Sequence, residues 1–441
     1  MPPPTILHID GDSFFVSCEL TRKPYLRGRP VVTGLERGIA SAMSPEAKAR
    51  GIYRGMRIGE MRKVCPDVVI LPSDYDMYTQ YARRMYSIVR RYAEVVEEYS
   101  IDECFADLAF RSLGEGGPAS PRNLDEQSSY PDLAHRIQEE IHASLGLTVS
   151  VGLSVTKVLA KVASKWNKPR GFTVITHGDI PAYLRQLPIG KVWGIGSSTT
   201  QYLRKLGITT ALDLTEKDHV WISEHCDLPV ARIYQELRGV SVMELSTDRQ
   251  TDYASVQRTR TFRPTSSDRE FCWSQLSQHV EDACIHLRRD GIVAGKVSFF
   301  LKTQDFEYIG EEVTLPEATA EPQLILRALR PRLDKLFVPG IQYRTTGVTL
   351  FSLRPRGTRT ESLFGDSPHL TTSTVITETV DRLARKYGRG TVTLASSLRA
   401  STHDDAEYRR NRRGHDATSP QERGRKLLKK HFDLIYLGEV K

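Results

Sequence analysis

Residues 98–108 read EYSIDECFADL, and the interpretation of the whole chain starts from this stretch. Two acids, Asp102 and Glu103, interrupt an otherwise strand-like run. Neighbouring residues in a straight strand point to opposite faces, so both carboxylates can reach one site only where the strand breaks. We therefore predict a hairpin with one strand at Val95–Tyr99 and its partner at Cys104–Leu108. The alternative for such a pair is a polar turn without chemistry.

A second acidic stretch favours a chemical role for the pair. Residues 6–15 read ILHIDGDSFF, an apolar strand that ends in Asp10 and Asp12. If this strand and the hairpin are neighbours in one sheet, three or four carboxylates converge and repel one another unless cations compensate them. Hard oxygen ligands without thiolates point to Mg²⁺ rather than zinc. Two such ions are the apparatus of in-line nucleotidyl transfer.

The two motifs, HIDGDSFF at residues 8–15 and YSIDE at residues 99–103, resemble those of the Y-family, the translesion DNA polymerases. The polymerase IV and UmuC branches are the most similar. The resemblance implies a DNA-directed DNA polymerase, a nucleotidyltransferase that adds dNTPs to a primer 3′-hydroxyl across damaged template with low fidelity. It also implies that Asp10, Asp102 and Glu103 are catalytic and bind two Mg²⁺ together with the Gly11 carbonyl. Whether Asp12 is a ligand stays open.

The same resemblance implies four contacts to the incoming nucleotide. Phe15 takes the position of the steric gate, the ring that clashes with a 2′-hydroxyl, and Phe14 precedes it. Lys168 lies in the sequence NKPRG, where the family has a triphosphate-binding lysine. Lys48 is a second phosphate contact, although Pro45 replaces a tyrosine common in the family. The alternatives are core packing for Phe14 and a solvated surface position for Lys48.

Length and charge predict several domains and a polyanionic partner. The chain has 441 residues, too many for one core, and a net charge of +8. The predicted fold is α+β and multidomain, and the order β-α-β-β-α-β predicts a ferredoxin-like palm.

The resemblance assigns residues 1–18 and 72–179 to the palm, 19–71 to a fingers insert, 180–245 to a helical thumb, 246–255 to a linker and 256–355 to an α/β little finger.

Two segments are predicted to bind DNA. Gly194 and Gly196 lie in VWGIGS and resemble a helix-hairpin-helix, in which glycines let backbone amides approach phosphates. Arg258 and Arg260 alternate with polar residues in QRTRTFR, which predicts a basic sheet face along the phosphates. This sheet is predicted to have four strands with two helices on one face.

The C-terminal part divides into residues 356–398, a clamp-motif region with a UmuC-like extension, and residues 399–441, a basic tail. Leu363 and Phe364 lie in TESLFG and resemble a sliding-clamp binding peptide. A local packing contact is the alternative. A helix at Thr371–Tyr387 and a strand at Thr391–Leu394 are predicted to follow.

The expected partners are primer–template DNA, dNTPs and a sliding clamp. No apolar run approaches membrane-spanning length, the N-terminus lacks the apolar core of a signal peptide, and the six cysteines form no Cys-x-x-Cys pair. These features predict a cytoplasmic protein without a membrane partner. Two other functions remain open: a non-catalytic polymerase-like scaffold at stalled forks, and a nucleotidyl cyclase, which would need neither the glycine hairpin nor the basic little finger.

Overall fold

The computed structural model describes residues 3–109, 129–247, 254–356, 368–388 and 390–400. The chain divides into two compact units, Met1–Arg249 and Gln250–Lys441. The division falls within the segment 246–255 that the sequence marks as a linker. None of the helices in the described ranges is long and apolar enough to cross a membrane.

The described part of the first unit begins with strands and helices in alternation and ends in a run of helices. Its strands are β1 (Ile6–Gly11), β2 (Val31–Thr33), β3 (Ala42–Met43), β4 (Val69–Leu71), β5 (Val95–Glu98), β6 (Glu103–Asp107), β7 (Val149–Ser154) and β8 (Phe172–Ile175). Its helices are α1 (Phe14–Arg22), α2 (Pro45–Ala49), α3 (Ile58–Val64), α4 (Tyr75–Val89), α5 (Tyr130–Leu145), α6 (Lys157–Trp166), α7 (Ile180–Gln186), α8 (Ser197–Lys205), α9 (Ala211–Thr215), α10 (His219–His225) and α11 (Leu228–Leu237).

The largest sheet of this unit has the strand order β5-β6-β1-β7-β8. Strand β1 is antiparallel to both of its neighbours, and β8 adds to β7 in parallel. The first four strands with their helices form the predicted ferredoxin-like arrangement, which is confirmed. Helices α4 and α5 bury one face of the sheet in a core that includes Leu7, Ile9, Met85 and Ile137. Helix α6 packs on the opposite face, against β7, β1 and β8.

The acidic hairpin is present as predicted. Strands β5 and β6 pair in antiparallel fashion with Glu98 opposite Cys104. Asp102 lies in the turn between them, and Glu103 is the first residue of β6. The break in the strand therefore falls at the two acids, and this frees both carboxylates from strict alternation.

Two smaller bodies flank the large sheet. A three-stranded sheet of order β3-β2-β4 has its own small core around Val32, Met61 and Ile70. Helices α7 to α11 share a second core, to which α6 contributes Val158 and Leu159. Helix α6 therefore packs against the large sheet and also contributes to the core of the helical segment.

The strands of the second unit are β9 (Ser255–Ser266), β10 (Ile292–Thr303), β11 (Tyr308–Thr319) and β12 (Tyr343–Pro355), and its helices are α12 (Arg269–Arg289), α13 (Pro322–Leu336) and α14 (Pro368–Tyr387). The strands form an antiparallel sheet of order β11-β10-β12-β9 with helices on one face. The prediction of two helices on one face of such a sheet is confirmed, since α12 and α13 bury that face.

The strand predicted at Thr391–Leu394 is wrong. This segment is irregular and leads into a short 3-10 turn at Ala395–Ser397. The carboxylate of Glu281 in α12 accepts hydrogen bonds from the Leu394 amide, at 3.2 Å, and from the Ser397 hydroxyl. The Glu281 side chain therefore accepts the hydrogen bond of the Leu394 amide, which a strand would donate to a neighbouring strand.

The half-buried Glu281 carboxyl makes the free energy of unfolding depend on pH. Burial raises its pKa to about 7, above the value in an unfolded chain. The folded state then binds this proton more tightly, so the stabilising contribution of the protonated carboxyl is complete below about pH 4.5 and is lost as the pH rises from there through 7. We expect Glu281→Gln to reduce the pH dependence of the unfolding midpoint between pH 5 and 8, measured by thermal denaturation.

The control is Glu312→Gln, which removes an exposed carboxylate from the same unit. It should leave the shape of the pH profile unchanged. A Glu281→Gln protein whose profile runs parallel to that of the wild type would contradict the assignment.

Candidate active site

Strand register brings the acids of the two motifs together. Asp10 of β1 and Glu103 of β6 are direct cross-strand partners, and residues paired in this way project from the same face of a sheet. The Gly11 amide donates a hydrogen bond to the Asp102 carbonyl at 2.8 Å. The three predicted acids and Gly11 therefore meet at one end of the β1–β6 pair.

A cavity of about 200 Å³ opens beside Asp10, Gly11 and Asp102. The other residues that line it are Ser13, Phe14, Phe15, Ser41, Ala42, Met43, Lys48, Arg54 and Lys168. All four nucleotide contacts predicted from the sequence thus line one cavity with two of the acids. Arg54, which donates to the Ser41 carbonyl at 3.1 Å, was not predicted.

Glu103 does not line this cavity and instead faces helix α6. One carboxylate oxygen accepts a hydrogen bond from the Lys161 ammonium at 2.9 Å, and the other lies 3.4 Å from Nε2 of His8. Burial by itself raises the pKa of Glu103, but the contacts with His8 and Lys161 outweigh it and lower this pKa to about 2. Glu103 is therefore ionised at pH 7.

His8 and Ser164 complete the surroundings of Glu103, and sequence reasoning missed both. Nδ1 of His8 lies 2.7 Å from the Ser164 hydroxyl of α6. Burial lowers the pKa of His8, which keeps the ring neutral at pH 7. His8 stands two residues before Asp10, and this spacing is the one signal that would have placed it on the same face of the sheet.

Asp10 and Asp12 have different surroundings. The Lys168 ammonium lies 2.5 Å from Asp10 and 3.7 Å from Asp12. Asp12 is buried, and its two oxygens accept from the Ser150 hydroxyl at 2.8 Å and from the Arg170 amide at 2.7 Å. Asp12 therefore anchors the loop that carries Lys168, and it does not line the cavity.

The two phenylalanines form different parts of the cavity wall. Phe14 is buried in the core, and a Cβ atom at Gly11 would lie 2.7 Å from its ring. Phe15 is half-buried and stacks on Tyr78, with ring centroids 4.5 Å apart and planes 10° apart. The edge of Tyr75 also contacts Phe15, at 5.5 Å between centroids. These contacts hold the Phe15 ring in one orientation.

The donor set fits a hard divalent cation. Asp10, Asp102, Glu103 and the Gly11 carbonyl offer only oxygen atoms, which Mg²⁺ prefers and zinc does not. In the part of the chain that the structure describes, no three His, Cys, Asp or Glu side chains are grouped so that they already enclose a metal ion. Lys161 and Lys168 supply the positive charge that balances the acids in the arrangement seen here.

The predicted DNA contacts lie elsewhere in the two units. Gly194 adopts the left-handed backbone, with φ of +89°, in the turn before α8, and Gly196 is the N-cap of that helix. Leu363 and Phe364, the predicted clamp contacts, lie outside the described residues.

Arg258 and Arg260 differ from the expectation. They alternate with exposed polar residues on β9 and pair with Val348 and Thr346. This places them on the side of the sheet that packs on α12, half-buried, because the core residues Val256 and Phe262 fix that register. The predicted basic open face is therefore not built from these two arginines. On β10, Lys296 and Lys302 alternate with core residues and face the open side.

Comparison with known proteins gives one consistent result. The model of the impB/mucB/samB family matches residues 9–165, the model of its C-terminal domain matches residues 254–363, and the IMS family HHH motif matches residues 177–208. DNA polymerase IV of Neisseria meningitidis serogroup A is 31% identical over 341 residues, which cover 75% of this chain and 93% of that protein.

Two further matches agree. DNA polymerase IV of Methanoculleus marisnigri is 31% identical over 367 residues, 81% of this chain and 97% of that protein. Among solved structures, a Y-family DNA polymerase chimera has a TM-score of 0.65 at 22% identity, covering 79% of this chain and 98% of its own. This last similarity concerns the fold.

Helix α6 lies very close to the sheet at Gly152 of β7, and we expect this contact to be sensitive to the size of the side chain at position 152. A Cβ atom there would overlap the Ala160 carbonyl and the Ser164 amide. Gly152→Ala should therefore displace α6 and cost about 1–3 kcal/mol of unfolding free energy, measured in urea.

The matched control is Gly59→Ala in α3, where an added Cβ meets no atom within 4 Å. Alanine is the better helix former, so this change should stabilise by up to about 1 kcal/mol. Similar small effects at both glycines would mean that α6 is not tightly packed on the sheet.

Proposed function

The chain belongs to the impB/mucB/samB family and is a Y-family DNA polymerase, and from this we propose that it copies damaged template with low fidelity, using Asp10, Asp102, Glu103 and two Mg²⁺. As a member of this family it is a DNA-directed DNA polymerase that uses divalent metal ions, primer–template DNA and dNTPs. The observation that carries the proposal is the meeting of the three acids beside a cavity with the expected nucleotide contacts.

We assign the ions to the carboxylates of Asp10, Asp102 and Glu103 and to the Gly11 carbonyl. When bound, they supply the charge that lowers the proton affinity of the primer hydroxyl and neutralises the leaving pyrophosphate. Glu103 is already ionised at neutral pH and does not have to lose a proton before it binds a metal ion, because the pKa of its carboxyl lies at about 2. Asp102 has one oxygen held by the Ser100 hydroxyl, which fixes its direction in the hairpin turn.

Lys168 has two roles in this proposal. Its ammonium balances the charge of Asp10 before a nucleotide binds, and it then contacts the triphosphate. The side chain is about one third exposed, so it can exchange one anionic partner for another at a small cost in free energy. Lys48, which lines the same cavity, donates to the Ser13 hydroxyl at 3.1 Å and is the second phosphate contact. Phe14 shapes the wall, and Phe15 is the steric gate.

The remaining assignments follow the domain organisation expected from the sequence. We assign the palm to residues 1–18 and 72–179, the fingers to 19–71, the thumb to 180–245 and the little finger to 256–355. Gly194 and Gly196 present backbone amides to the DNA backbone. Leu363 and Phe364 bind a sliding clamp.

Isosteric changes at the acids test the metal assignment. Asp10→Asn and Asp102→Asn keep side-chain shape and remove charge, so they should reduce primer extension with Mg²⁺ on the order of 10³-fold. Primer–template affinity, measured by fluorescence anisotropy, should change little. Asp107→Asn, at the far end of β6, is the control and should extend primers normally.

Full primer extension by either aspartate variant would remove the proposed role of that residue. Loss of DNA binding together with activity would instead point to a structural effect. The same assay separates a polymerase from a non-catalytic scaffold, because the scaffold would extend no primer even as wild type.

The steric gate has its own test. Phe15→Ala removes the ring that would clash with a 2′-hydroxyl, so we expect incorporation of ribonucleotides relative to deoxyribonucleotides to rise about tenfold or more. Single-nucleotide incorporation measures this ratio. Tyr75→Ala, which removes the neighbouring ring that contacts Phe15 by its edge, should change the ratio much less. An unchanged ratio in Phe15→Ala would rule out the gate assignment.

A further inference from the structure

Lys161 lies among three aromatic rings, which we call the aromatic box: Tyr99, Phe105 and Trp193. Its ammonium nitrogen is 4.3 Å from the ring centroid of Tyr99, 4.7 Å from that of Trp193 and 5.9 Å from that of Phe105. A cation within about 6 Å of an aromatic face is attracted by the ring quadrupole. Although Tyr99 is 42% exposed, the box leaves the Lys161 side chain only 4% exposed.

The rings of the aromatic box also hold one another. Tyr99 meets Trp193 edge-on at 5.3 Å between centroids, and Phe105 lies 5.7 Å from each of the other two. The indole Nε1–H of Trp193 donates to the Tyr99 hydroxyl at 3.1 Å. Each ring therefore has contacts that restrict its orientation, and together they restrict where the Lys161 ammonium can lie.

The ammonium in turn fixes one acid. Lys161 pairs with Glu103 at 2.9 Å, while the second carboxylate oxygen faces His8. A carboxylate has about four acceptor positions, so two contacts leave room for further ligands while they fix its direction. The aromatic box thus determines the orientation of a residue that the proposed function makes a metal ligand.

One wall of the aromatic box comes from the proposed DNA-binding hairpin. Trp193 directly precedes Gly194, and it packs against a small cluster formed by Ile6, Phe105 and Ala160. A shift of the glycine hairpin on DNA would therefore move a ring that contacts Lys161.

We propose that Lys161 and Trp193 are positioning residues for Glu103. The aromatic box holds the Lys161 ammonium, the ammonium holds the Glu103 carboxylate in the direction needed for metal binding, and Trp193 links this chain of contacts to the DNA-binding hairpin. The inference rests on the proposed role of Glu103 as a metal ligand.

Helix α6 contains a lysine with purely structural contacts for comparison. Lys157, one turn before Lys161, pairs with Glu97 at 2.7 Å and lies 5.0 Å from the Phe105 ring. Glu97 accepts a further hydrogen bond from the Ser246 amide and is not among the proposed ligands. The two lysines share helix, burial and an aromatic neighbour, and they differ in which acid they hold.

The first experiment removes a wall of the aromatic box without changing any charge. Trp193→Leu should weaken Mn²⁺ binding to the DNA-free protein, measured by electron paramagnetic resonance, by about three- to tenfold. The Mg²⁺ concentration for half-maximal primer extension should rise by a similar factor. Trp221→Leu is the control, because the Trp221 ring lies 5.4 Å from the ammonium of Lys217 in the same helical segment and far along the chain from Asp10, Asp102 and Glu103.

The second experiment compares the two lysines of α6. Lys161→Met should lower kcat for primer extension with little change in primer–template affinity, and Lys161→Arg should restore part of it because the positive charge returns. Lys157→Met should lower the thermal midpoint and leave kcat close to the wild-type value.

If Trp193→Leu does not fold, Trp193→Phe tests the same contact. It keeps a ring but loses the hydrogen bond to Tyr99, so the expected loss of Mn²⁺ affinity is smaller.

The outcomes separate this inference from the proposed function. Inactive Glu103→Gln together with wild-type metal affinity and kcat in the Lys161 and Trp193 variants would overturn the positioning role alone. Full primer extension by Glu103→Gln would overturn both the ligand role and the positioning role. Weaker Mn²⁺ binding in Trp193→Leu but not in Trp221→Leu is the result that supports the inference.

Discussion

The antiparallel pairing of β1 and β6 sets a condition that the rest of the first unit has to satisfy. It places Asp10 and Glu103 on one face of the sheet, next to Asp102 in the turn. Two like charges about 4 Å apart repel by roughly 4 kcal/mol at an effective dielectric constant of 20. A sheet with this register is stable only if positive charge lies close by. Helix α6 and the loop after it supply that charge, and the absence of a side chain at Gly152 lets the helix lie close to the sheet.

The two lysines that balance the acids differ in a way that matters for chemistry. Lys161 is almost completely buried, so separating it from Glu103 would leave a buried charge without a partner, which costs several kcal/mol. Lys168 is about one third exposed, and water can replace Asp10 as its partner at little cost. The first pair is therefore a fixed part of the structure, whereas the second pair can open at little cost in free energy. One lysine thus stabilises the fold, and the other leaves a site at which the partner of the ammonium can be exchanged.

The sequence predicts those features that depend on local periodicity. The hairpin, the ferredoxin-like order and the stripe of Met77, Tyr81 and Met85 on α4 follow from apolar spacing and from the break at the acids. The partners of Glu103 do not, because they depend on how closely a helix 58 residues further along the chain, at Lys161, approaches the sheet. On β9, alternation is visible in the sequence, but which face is buried depends on neighbouring strands. The strand expected at Thr391–Leu394 fails for a similar reason, since Glu281 of α12 takes up the Leu394 amide.

Asp12 shows how far a motif can be interpreted without a structure. It stands two residues after Asp10, so strict alternation would direct both side chains to the same face. Strand β1 ends at Gly11, however, and Asp12 lies in the turn before α1, where its carboxylate meets Ser150 and the Arg170 amide. A buried carboxylate with two such bonds is costly to move, because each freed donor would remain unsatisfied. Asp12 therefore acts on the site through the loop that carries Lys168. The first acid of the motif lines the cavity, and the second fixes the residue that balances the charge of the first.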